Sequence, residues 1–566
     1  EGGTDGSGRG GSGGEGASGA GAGRPSSGGA TSGGAPSSRG GAPAEGGASP
    51  GGAPAEGGAA QGGAAAEGGA DAGGEAGVGG EGGQQGRQNT RKLNGPNGTL
   101  ISLVNDLRGL TYAADGKIYA SGHVGANITY PAAVDRMVAV VRFNADGTLD
   151  TSFDGDGIKT LNLRTRIAVD EAVTNDGDEG SIGIVELANG DIVVQANVRD
   201  LGGRGRDVVL LRLNRHGAPV ASFGTGGVRK LDFGWTDADN AAWPTATSAP
   251  ADDSWGIALD RSGDVEKIVV FAHGSAKRDP LLEDPLLQRT DNDRYVTRVL
   301  ASTGAIDPEF NGGEVFTFNT EGVLPDNARR GIVEEDGSIV SSGYTNFGPG
   351  LGNHVVIARL LPDGAPDESF GFGVPALPGV AIANPFLDDG GVTEVYQIGK
   401  QSSGRYVTTG YGRATAADTA SSYDFATTLE VDLVSVGLLP GALDPAYGVE
   451  GANAIQSELL ALGNTEDRGR DLVVLEDDRV VHAGRLGPNP ALFVTTEDGE
   501  PDASLGGVGE GPNGDDTVAG AFGVAALPGT TSHFYAVAVS KDGTRVAATT
   551  NNHSAGVVLT ILDVSP

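Results

Sequence analysis

Short runs of alternating apolar and polar residues, broken by Asp-Gly or Asn-Gly pairs, recur from about residue 91 to the C-terminus. In GLTYAADGKIYASGH (109–123), for example, two such runs flank the turn at Gly116. Glycine accepts the positive φ that a tight turn demands, so each pair of runs predicts a β-hairpin. No stretch shows a long helical period. The pattern therefore predicts an all-β protein.

The hairpin turns recur at a regular spacing. The equivalent turn residues are Gly116, Gly190, Gly263, Gly337, Gly404, Asp478 and Gly543. Successive turns are 65 (543 − 478) to 74 (190 − 116) residues apart, which is enough for four short strands in each unit. Repeats of this kind are typical of propellers. We therefore expect residues 90–566 to form a seven-bladed β-propeller of four-stranded blades.

The last of the seven units lacks an outer strand of its own, because the sequence ends at LTILDVSP. The segment TRKLNG (90–95) resembles VRKLDF (228–233), which ends the second unit. We therefore expect residues 90–104 to supply the missing strand and close the ring, which would protect an exposed edge.

Residues 1–89 differ from the repeats in composition. They are mostly Gly, Ala, Ser, Pro and Glu, and GGAPAEGG occurs twice. Such a segment cannot bury enough apolar surface to offset its ordering entropy. We interpret it as a disordered Gly/Ala/Ser-rich tether.

A second motif follows the third strand of the units, as in RFNADGTLDTSFDGDG from Arg142. Such segments resemble the delta-60 repeat, with a signature of approximately Arg-Leu-Asn-x-Asp-Gly-x-x-Asp-x-Ser-Phe-Gly. The matching residues are Arg142, Asn144, Asp146, Gly147, Asp150, Ser152 and Phe153; Arg212, Asn214, Gly217, Ser222 and Phe223; and Arg359, Asp363, Gly364, Asp367, Ser369 and Phe370. The resemblance implies a β-propeller in a bacterial secreted or surface protein, and no catalytic residue.

The shared positions have a structural interpretation. Asp150 and Ser152 are expected to bond the backbone of the turn. The motif phenylalanines are expected to pack between blades; they are Phe153, Phe223, Phe310 and Phe370.

Composition limits the partners and the location. The formal net charge of −35 argues against binding nucleic acid or an anionic membrane. Cysteine is absent, and no run approaches the roughly 18 apolar residues of a transmembrane helix. The chain does not begin with Met, which would fit a removed secretory signal. We expect a monomer that is secreted or tethered to the outer cell surface of a bacterium, with a lipid anchor on a residue outside this chain as one means of tethering.

The end of the second strand in each unit carries a hydrogen-bonding side chain. Aligned on the turns, these candidate ligand-binding residues are His123, Asn197, His273, Tyr344, Tyr411, Arg485 and Asn551. In a closed ring they would form a circle at the mouth of the face that bears the variable loops, which is the usual place for a ligand site. The alternative is that they cap the strand and bond the loop of the next blade.

Two further features have both a binding and a structural interpretation. Trp235 and Trp243, with Trp255 shortly after, could form a carbohydrate platform or pack in the core. The variable loops are acidic, and NDGDEG (175–180) is the best candidate for binding Ca²⁺, with solvated loops as the alternative.

No motif for a nucleophile, a metal triad or a phosphate loop is present, and the seven histidines are scattered. We therefore predict no catalytic residue and no metal site. The expected function is non-enzymatic binding or display of an extracellular ligand, such as a glycan, an envelope component or a surface protein, on the variable-loop face. The alternatives are a metal-dependent propeller hydrolase with its site at the central mouth, and a structural spacer or adhesin.

Overall fold

The fold is seen in a computed structural model, and the regions that it describes lie in the repeats and a short segment before them. The described residues are 89–92, 104–125, 136–163, 177–200, 205–235, 251–277, 279, 282, 289, 291–320, 324–348, 352–372, 377–383, 392–413, 425–427, 440–448, 453–455, 468–486, 489–500, 502, 524–526, 533–550 and 557–564. The predicted tether up to residue 88 lies outside them.

Six repeat units each form one sheet of four or five strands, which we call a blade. The strands of units one and two are β2 (Val104–Tyr112), β3 (Ile118–Gly125), β4 (Arg136–Phe143) and β5 (Ile158–Leu161), and β6 (Gly177–Glu186), β7 (Ile192–Asp200), β8 (Arg206–Leu213) and β9 (Val228–Leu231). Those of units three and four are β10 (Asp252–Asp260), β11 (Lys267–Ser275), β12 (Asn292–Leu300) and β13 (Phe316–Phe318), and β14 (Asp326–Val333), β15 (Ile339–Asn346), β16 (Asn353–Leu360), β17 (Gly371–Phe372) and β18 (Val380–Ala383).

The remaining strands belong to units five to seven. They are β19 (Val392–Lys400), β20 (Tyr406–Arg413), β21 (Phe425–Thr427) and β22 (Asn453–Ile455); β23 (Arg468–Val474), β24 (Val480–Leu486), β25 (Asn489–Thr495) and β26 (Val524–Ala526); and β27 (Phe534–Val539), β28 (Arg545–Thr550) and β29 (Val558–Asp563). The outer strand of the last blade is β1 (Asn89–Lys92), which pairs antiparallel with β29 so that Asn89 lies opposite Ile561.

The prediction of an all-β propeller is confirmed, but the prediction of seven blades is wrong, because the described residues contain six. Unit five forms two separate two-stranded sheets, β19–β20 and β21–β22, instead of one blade. Its outer strands β21 and β22 pair with each other, and β21 lies beside β20 without joining its ladder. The domain limits at residues 89 and 90 and the closure by residues 90–104 stay predictions.

The innermost strands of all seven units nevertheless meet around one axis. Each packs against the next in the order β2, β6, β10, β14, β19, β23 and β27, and β27 packs against β2. Each begins at the face of the variable loops, which we call the mouth, and ends at the conserved hairpin turn on the opposite face. One turn lacks glycine, and there Asp478 itself adopts a φ of 63°.

The repeated motif holds neighbouring units together at the face opposite the mouth. The Oδ1 atom of Asp150 accepts hydrogen bonds from the backbone N (3.1 Å) and the Oγ (2.7 Å) of Ser152, which confirms the expected turn. Phe223 is fully buried, and a Cβ built on Gly304 of the next unit would lie 3.1 Å from its ring. Phe153 and Phe310 lie in the same way against Gly217 and Gly364, so the predicted packing between blades is confirmed.

The motif arginines add a second contact between units. The Nη1 of Arg212 donates to the carbonyl of Ala301 at 2.8 Å, and that of Arg298 donates to the carbonyl of Pro362 at 2.8 Å. Because each guanidinium binds a backbone oxygen of the following unit, the motif fixes the position of each unit relative to the next.

Replacing Phe223 with Ala should lower the free energy of unfolding by about 3–5 kcal/mol, because the lost ring would leave a cavity between two units that the surrounding side chains cannot fill. Denaturation in urea measures this. Val265→Ala is the control, since Val265 is 50% exposed and its truncation should change stability by at most about 0.5 kcal/mol. Equal effects of the two substitutions would contradict the role of the phenylalanine.

Candidate functional site

Every innermost strand carries a β-bulge close to the mouth. The register between the first and second strands skips one residue in most units, two consecutive residues in unit four and two separate residues in unit one. A bulge redirects a side chain, and here it places one residue of each unit near the axis. We call the set the constriction ring; it consists of Arg108, Ile182, Trp255, Arg329, Tyr396, Arg470 and Tyr535.

Arginines and aromatic residues alternate around most of this ring. The guanidinium carbon of Arg329 lies 4.2 Å from the ring centroid of Trp255 and 4.7 Å from that of Tyr396. That of Arg470 lies 4.4 Å from Tyr396 and 5.2 Å from Tyr535. Arg108 lies 4.7 Å from Tyr535 on its other side. Contacts of this length between a cation and an aromatic ring are attractive.

A cavity of about 300 Å³, which we call the mouth pocket, lies above one side of the ring. It is lined by residues of units one to four: Arg108, His123, Arg136, Gly180, Ser181, Ile182, Asn197, Arg206, Asp253, Trp255, His273, Asn327, Arg329 and Tyr344. The lining thus combines four arginines, two histidines, two amides, a tyrosine and a tryptophan with a single carboxylate.

The pocket lies over unit two because that unit has the smallest side chains. Asp106, Asp253, Asn327, Glu394 and Arg468 occupy the position opposite the end of the second strand in their units. The equivalent residue in unit two is Gly180, and a Cβ there would have His123 as its only close neighbour, at 3.8 Å. The missing side chain leaves the space that forms the pocket.

Carboxylates contact Arg108, Arg206 and Arg329 of the pocket. The Nε of Arg108 lies 2.5 Å from Asp106, Arg206 forms an ion pair with Asp253, and Arg329 lies 3.6 Å from Glu394. Asp106 and Glu394 are buried behind the arginines and do not line the pocket. The surface that a ligand would meet is therefore richer in guanidinium groups than in carboxylates.

The pocket histidine His273 is held neutral. Burial lowers its pKa to about 4, and the charges of Arg329, Arg294 and Arg206 add to this effect against the opposing charge of Asp253. Burial raises the pKa of Tyr344 to about 12, with the charge of Glu394 as the next cause. At neutral pH the pocket thus offers a neutral imidazole and a neutral phenol beside cationic guanidinium groups.

Below the constriction ring, Arg330 extends across the axial channel. Its Nη2 donates to the carbonyl of Arg108 at 2.6 Å, and its Nη1 lies 2.5 Å from Asp471. The Oδ2 of Asp471 also accepts the backbone N–H of Val537 at 2.9 Å. These bonds connect units one, four, six and seven above a second cavity of about 290 Å³ in the channel, which Arg330 and Asp471 help to line.

Four of the seven residues predicted at the strand ends line the mouth pocket together: His123, Asn197, His273 and Tyr344. Tyr411 lies on the other side of the mouth, against Tyr396 and Arg468, and Arg485 is paired in register with Arg468. Asn551 lies outside the described residues. The role of all seven in ligand binding stays a prediction.

Of the two tryptophans predicted to bind a ligand, Trp235 is only 5% exposed, and its backbone N–H donates to the carbonyl of Ser275 at 3.1 Å. The role of both in ligand binding stays a prediction. Trp243 lies outside the described residues. Trp255 is the tryptophan that lines the pocket, and it reaches the pocket through its bulge.

Sequence reasoning did not select Arg108 or Arg329 as site residues, and it noted Trp255 only beside the other two tryptophans. A signal for them exists, because each lies eight residues before the turn residue of its unit: 116 − 108, 263 − 255 and 337 − 329. That position reads Arg, Ile, Trp, Arg, Tyr, Arg and Tyr through the seven units.

The segment predicted to bind Ca²⁺, residues 175–180, is only partly described by the structure. In NDGDEG, Gly177–Gly180 form the start of strand β6 and pair with β7. Within the described ranges no group of three acidic or histidine side chains could hold a metal ion, and calcium binding stays a prediction. In those ranges there is also no helix of the length and apolarity needed to cross a membrane.

Comparison with known families supports a propeller repeat protein. A family profile described as a domain of unknown function (DUF5122) beta-propeller matches residues 113–153 and 334–370. No curated protein matches the sequence. The resemblance to the delta-60 repeat itself, and secretion, stay predictions.

Among solved structures the chain is similar to several enzymes. The Hadza microbial sialidase Hz136 is 12% identical, with 77% of this chain and 75% of the sialidase covered and a TM-score of 0.36. The polysaccharide lyase Uly1 is 11% identical, with 84% of this chain and 93% of the lyase covered and a TM-score of 0.43. The α-L-arabinofuranosidase Arb93A from Fusarium graminearum is 9% identical, with 85% of this chain and 98% of the enzyme covered and a TM-score of 0.35.

These similar structures overturn the prediction that the protein is not an enzyme, since all three are enzymes. That prediction relied on the absence of linear motifs, and a propeller site is assembled from side chains of different strands. At these identities and TM-scores the likeness carries no argument about which activity this chain has.

His273 should make stability depend on pH in a defined window. Its folded pKa of about 4 is below the ordinary 6.5, so between these values only the unfolded state is protonated. Stability should therefore fall as pH falls from 6.5 to 4, by at most about 3 kcal/mol from this residue.

His273→Asn should reduce the difference in unfolding free energy between pH 7 and pH 4.5, as measured by urea denaturation at both values. The matched control is His216→Asn, on an exposed turn at the opposite face, which should leave the difference unchanged. A difference that is the same in wild type and His273→Asn would refute the assignment.

Proposed function

We propose that the protein binds an acidic glycan at the mouth pocket, with the carboxylate of a sugar such as a uronate held by the pocket arginines. The observation that carries this proposal is the charge of the pocket. In a chain with a formal net charge of −35, the pocket lining has four arginines and one carboxylate. An extracellular location is part of the proposal.

Guanidinium groups suit this ligand because their N–H donors match the two oxygens of a carboxylate. Arg136 and Arg206 begin the third strands of units one and two and so stand at the edge of the pocket, while Arg108 and Arg329 form its floor. A carboxylate that enters between them would meet donors on two sides.

The rest of the lining suits a sugar. Asn197, Asn327, Ser181 and Tyr344 offer hydrogen-bonding groups for hydroxyls, and Trp255 offers apolar surface. A few convergent polar groups around such a surface are typical of small-ligand sites. The volume of about 300 Å³ is sufficient for one or two sugar rings rather than a protein segment.

A second candidate function is cleavage of the bound uronate by β-elimination, and the neutral His273 favours it. The imidazole would accept the proton from C5 of the sugar, the bond from C4 to the glycosidic oxygen would break, and the departing oxygen would take a proton from the Tyr344 hydroxyl. The arginines would neutralise the carboxylate and so acidify the C5 proton.

Arg206→Gln and Arg136→Gln should each weaken binding of an acidic oligosaccharide by about tenfold or more, since each removes a charge-assisted hydrogen bond. Isothermal titration calorimetry with a panel of uronate and sialylated oligosaccharides, and with their carboxyl-reduced forms, measures this. Affinity for the acidic forms should also fall as salt is added.

The matched control is Arg261→Gln, because Arg261 lies on the hairpin turn at the opposite face and its side chain is 53% exposed. It should bind as wild type does. If no member of the panel binds, or if the control loses as much affinity as the pocket variants, the proposal is refuted.

The elimination reaction has its own test. Incubation with the bound uronate oligosaccharide should produce the ultraviolet absorbance of an unsaturated sugar, and His273→Asn should abolish it while changing affinity less than about threefold. If the absorbance does not appear, the second candidate is removed and the binding proposal is unaffected.

A further inference from the structure

Arg470 of the constriction ring is a buried cation that forms no ion pair with the described residues. The residue is 8% exposed, and its Nε is buried without a hydrogen-bond partner. Its guanidinium lies between the rings of Tyr396 and Tyr535, at 4.4 and 5.2 Å from their centroids. Within the described part of the chain no carboxylate lies within ion-pairing distance of it.

Two carboxylates near it, one adjacent in sequence and one two residues from its stacking partner Tyr396, are committed to other groups. Asp471, the next residue, lies 2.5 Å from Arg330 and accepts the N–H of Val537. Glu394 lies 3.6 Å from Arg329 and accepts a hydrogen bond of 2.7 Å from Asn353. Neither can move to Arg470 without taking its charge away from Arg330 or Arg329.

The pKa of His533, whose ring lies 5.2 Å from that of Tyr535, indicates a positive electrostatic potential near Arg470. Burial, followed by the charges of Arg470, Arg485, Arg468 and Arg108, lowers the pKa of His533 to about 2. The charges of four guanidinium groups therefore act on one imidazole, which lies beside Tyr535 in unit seven.

Removing a cation from water without a counter-charge is costly, and contact with aromatic faces recovers only part of that cost. An anion that entered from the mouth would supply the missing charge and would also face Arg108, which stacks on Tyr535. We infer that Arg470, between Tyr396 and Tyr535, binds an oxyanion, that is, a carboxylate, sulfate or phosphate group.

This oxyanion site is separate from the mouth pocket, which is lined by units one to four. Arg108 belongs to both, because it lines the pocket and contacts Tyr535. The oxyanion has two sources: a free inorganic ion, or a second acidic group on the ligand that occupies the mouth pocket. The site itself does not depend on what that pocket binds.

The test compares the Tm of wild type and Arg470→Met during a titration with inorganic phosphate, with ionic strength held constant by a bulky sulfonate buffer. Wild type should gain several degrees, because a ligand that binds only the folded state stabilises it. Arg470→Met should lose this gain, and without phosphate it should be at least as stable as wild type, because an unpaired charge has been removed.

Arg470→Lys retains the charge and should retain part of the response, so the test does not depend on the methionine variant alone. Arg261→Met, on the opposite face, should respond as wild type does. The inference is overturned if all variants respond to phosphate equally, or if Arg470→Met is destabilised to the same extent with and without phosphate, since Arg470 would then act only through packing.

A second arm separates the two sources. Monouronate and diuronate saccharides are titrated into wild type and Arg470→Met in phosphate-free buffer. A loss of about tenfold in affinity for the diuronate alone identifies the second acidic group of one ligand as the occupant. Unchanged affinities, together with the phosphate response of the first arm, identify a free ion. If no saccharide binds, the proposed function fails while the phosphate response still decides the oxyanion site.

Discussion

Seven innermost strands meet at one axis, and each directs one bulged side chain into a space that the other six share. This constraint governs the centre of the molecule. Seven apolar residues at these positions would form an ordinary hydrophobic core, and seven like charges would repel one another. The chain instead alternates arginines with tyrosine and tryptophan, so that most guanidinium groups lie against an aromatic face. The alternation keeps positive charge at the centre of an acidic protein, and the floor of the mouth pocket is made from it.

The repeats and their exceptions have different roles. At the face opposite the mouth several units share the same contacts: Asp150, Asp307 and Asp367 close their turns, Phe153, Phe223 and Phe310 lie under a glycine of the following unit, and Arg142, Arg212 and Arg298 reach its backbone. At the mouth the equivalent positions differ from unit to unit. Unit two departs most, since Gly180 stands where other units carry charged or polar side chains, and the pocket lies there. A rigid, repetitive face thus supports a variable one.

The parts of the structure that depend on local sequence could be predicted. The turn glycines, the Asp150–Ser152 turn and the packing of Phe223 follow from short motifs. The blade count was wrong because the outer strands of unit five, Phe425–Thr427 and Asn453–Ile455, pair with each other and not with the inner pair of that unit. Aligning the strand ends brought His123, Asn197, His273 and Tyr344 to one pocket. Arg108 and Arg329 escaped notice because a bulge breaks the alternation of inward and outward residues, and the alternation was the basis of the prediction.

Arg330 gives the molecule a property that its ring shape alone would not suggest. Its side chain crosses the axis and is bonded on the far side to Asp471 and to the backbone at Arg108. A group that enters the channel from the mouth therefore meets the Arg330 side chain and its bonds. A polymer could pass through the ring only if these bonds were broken. Otherwise it must lie across the rim or insert a terminus or a branch, and it must retreat by the same entrance.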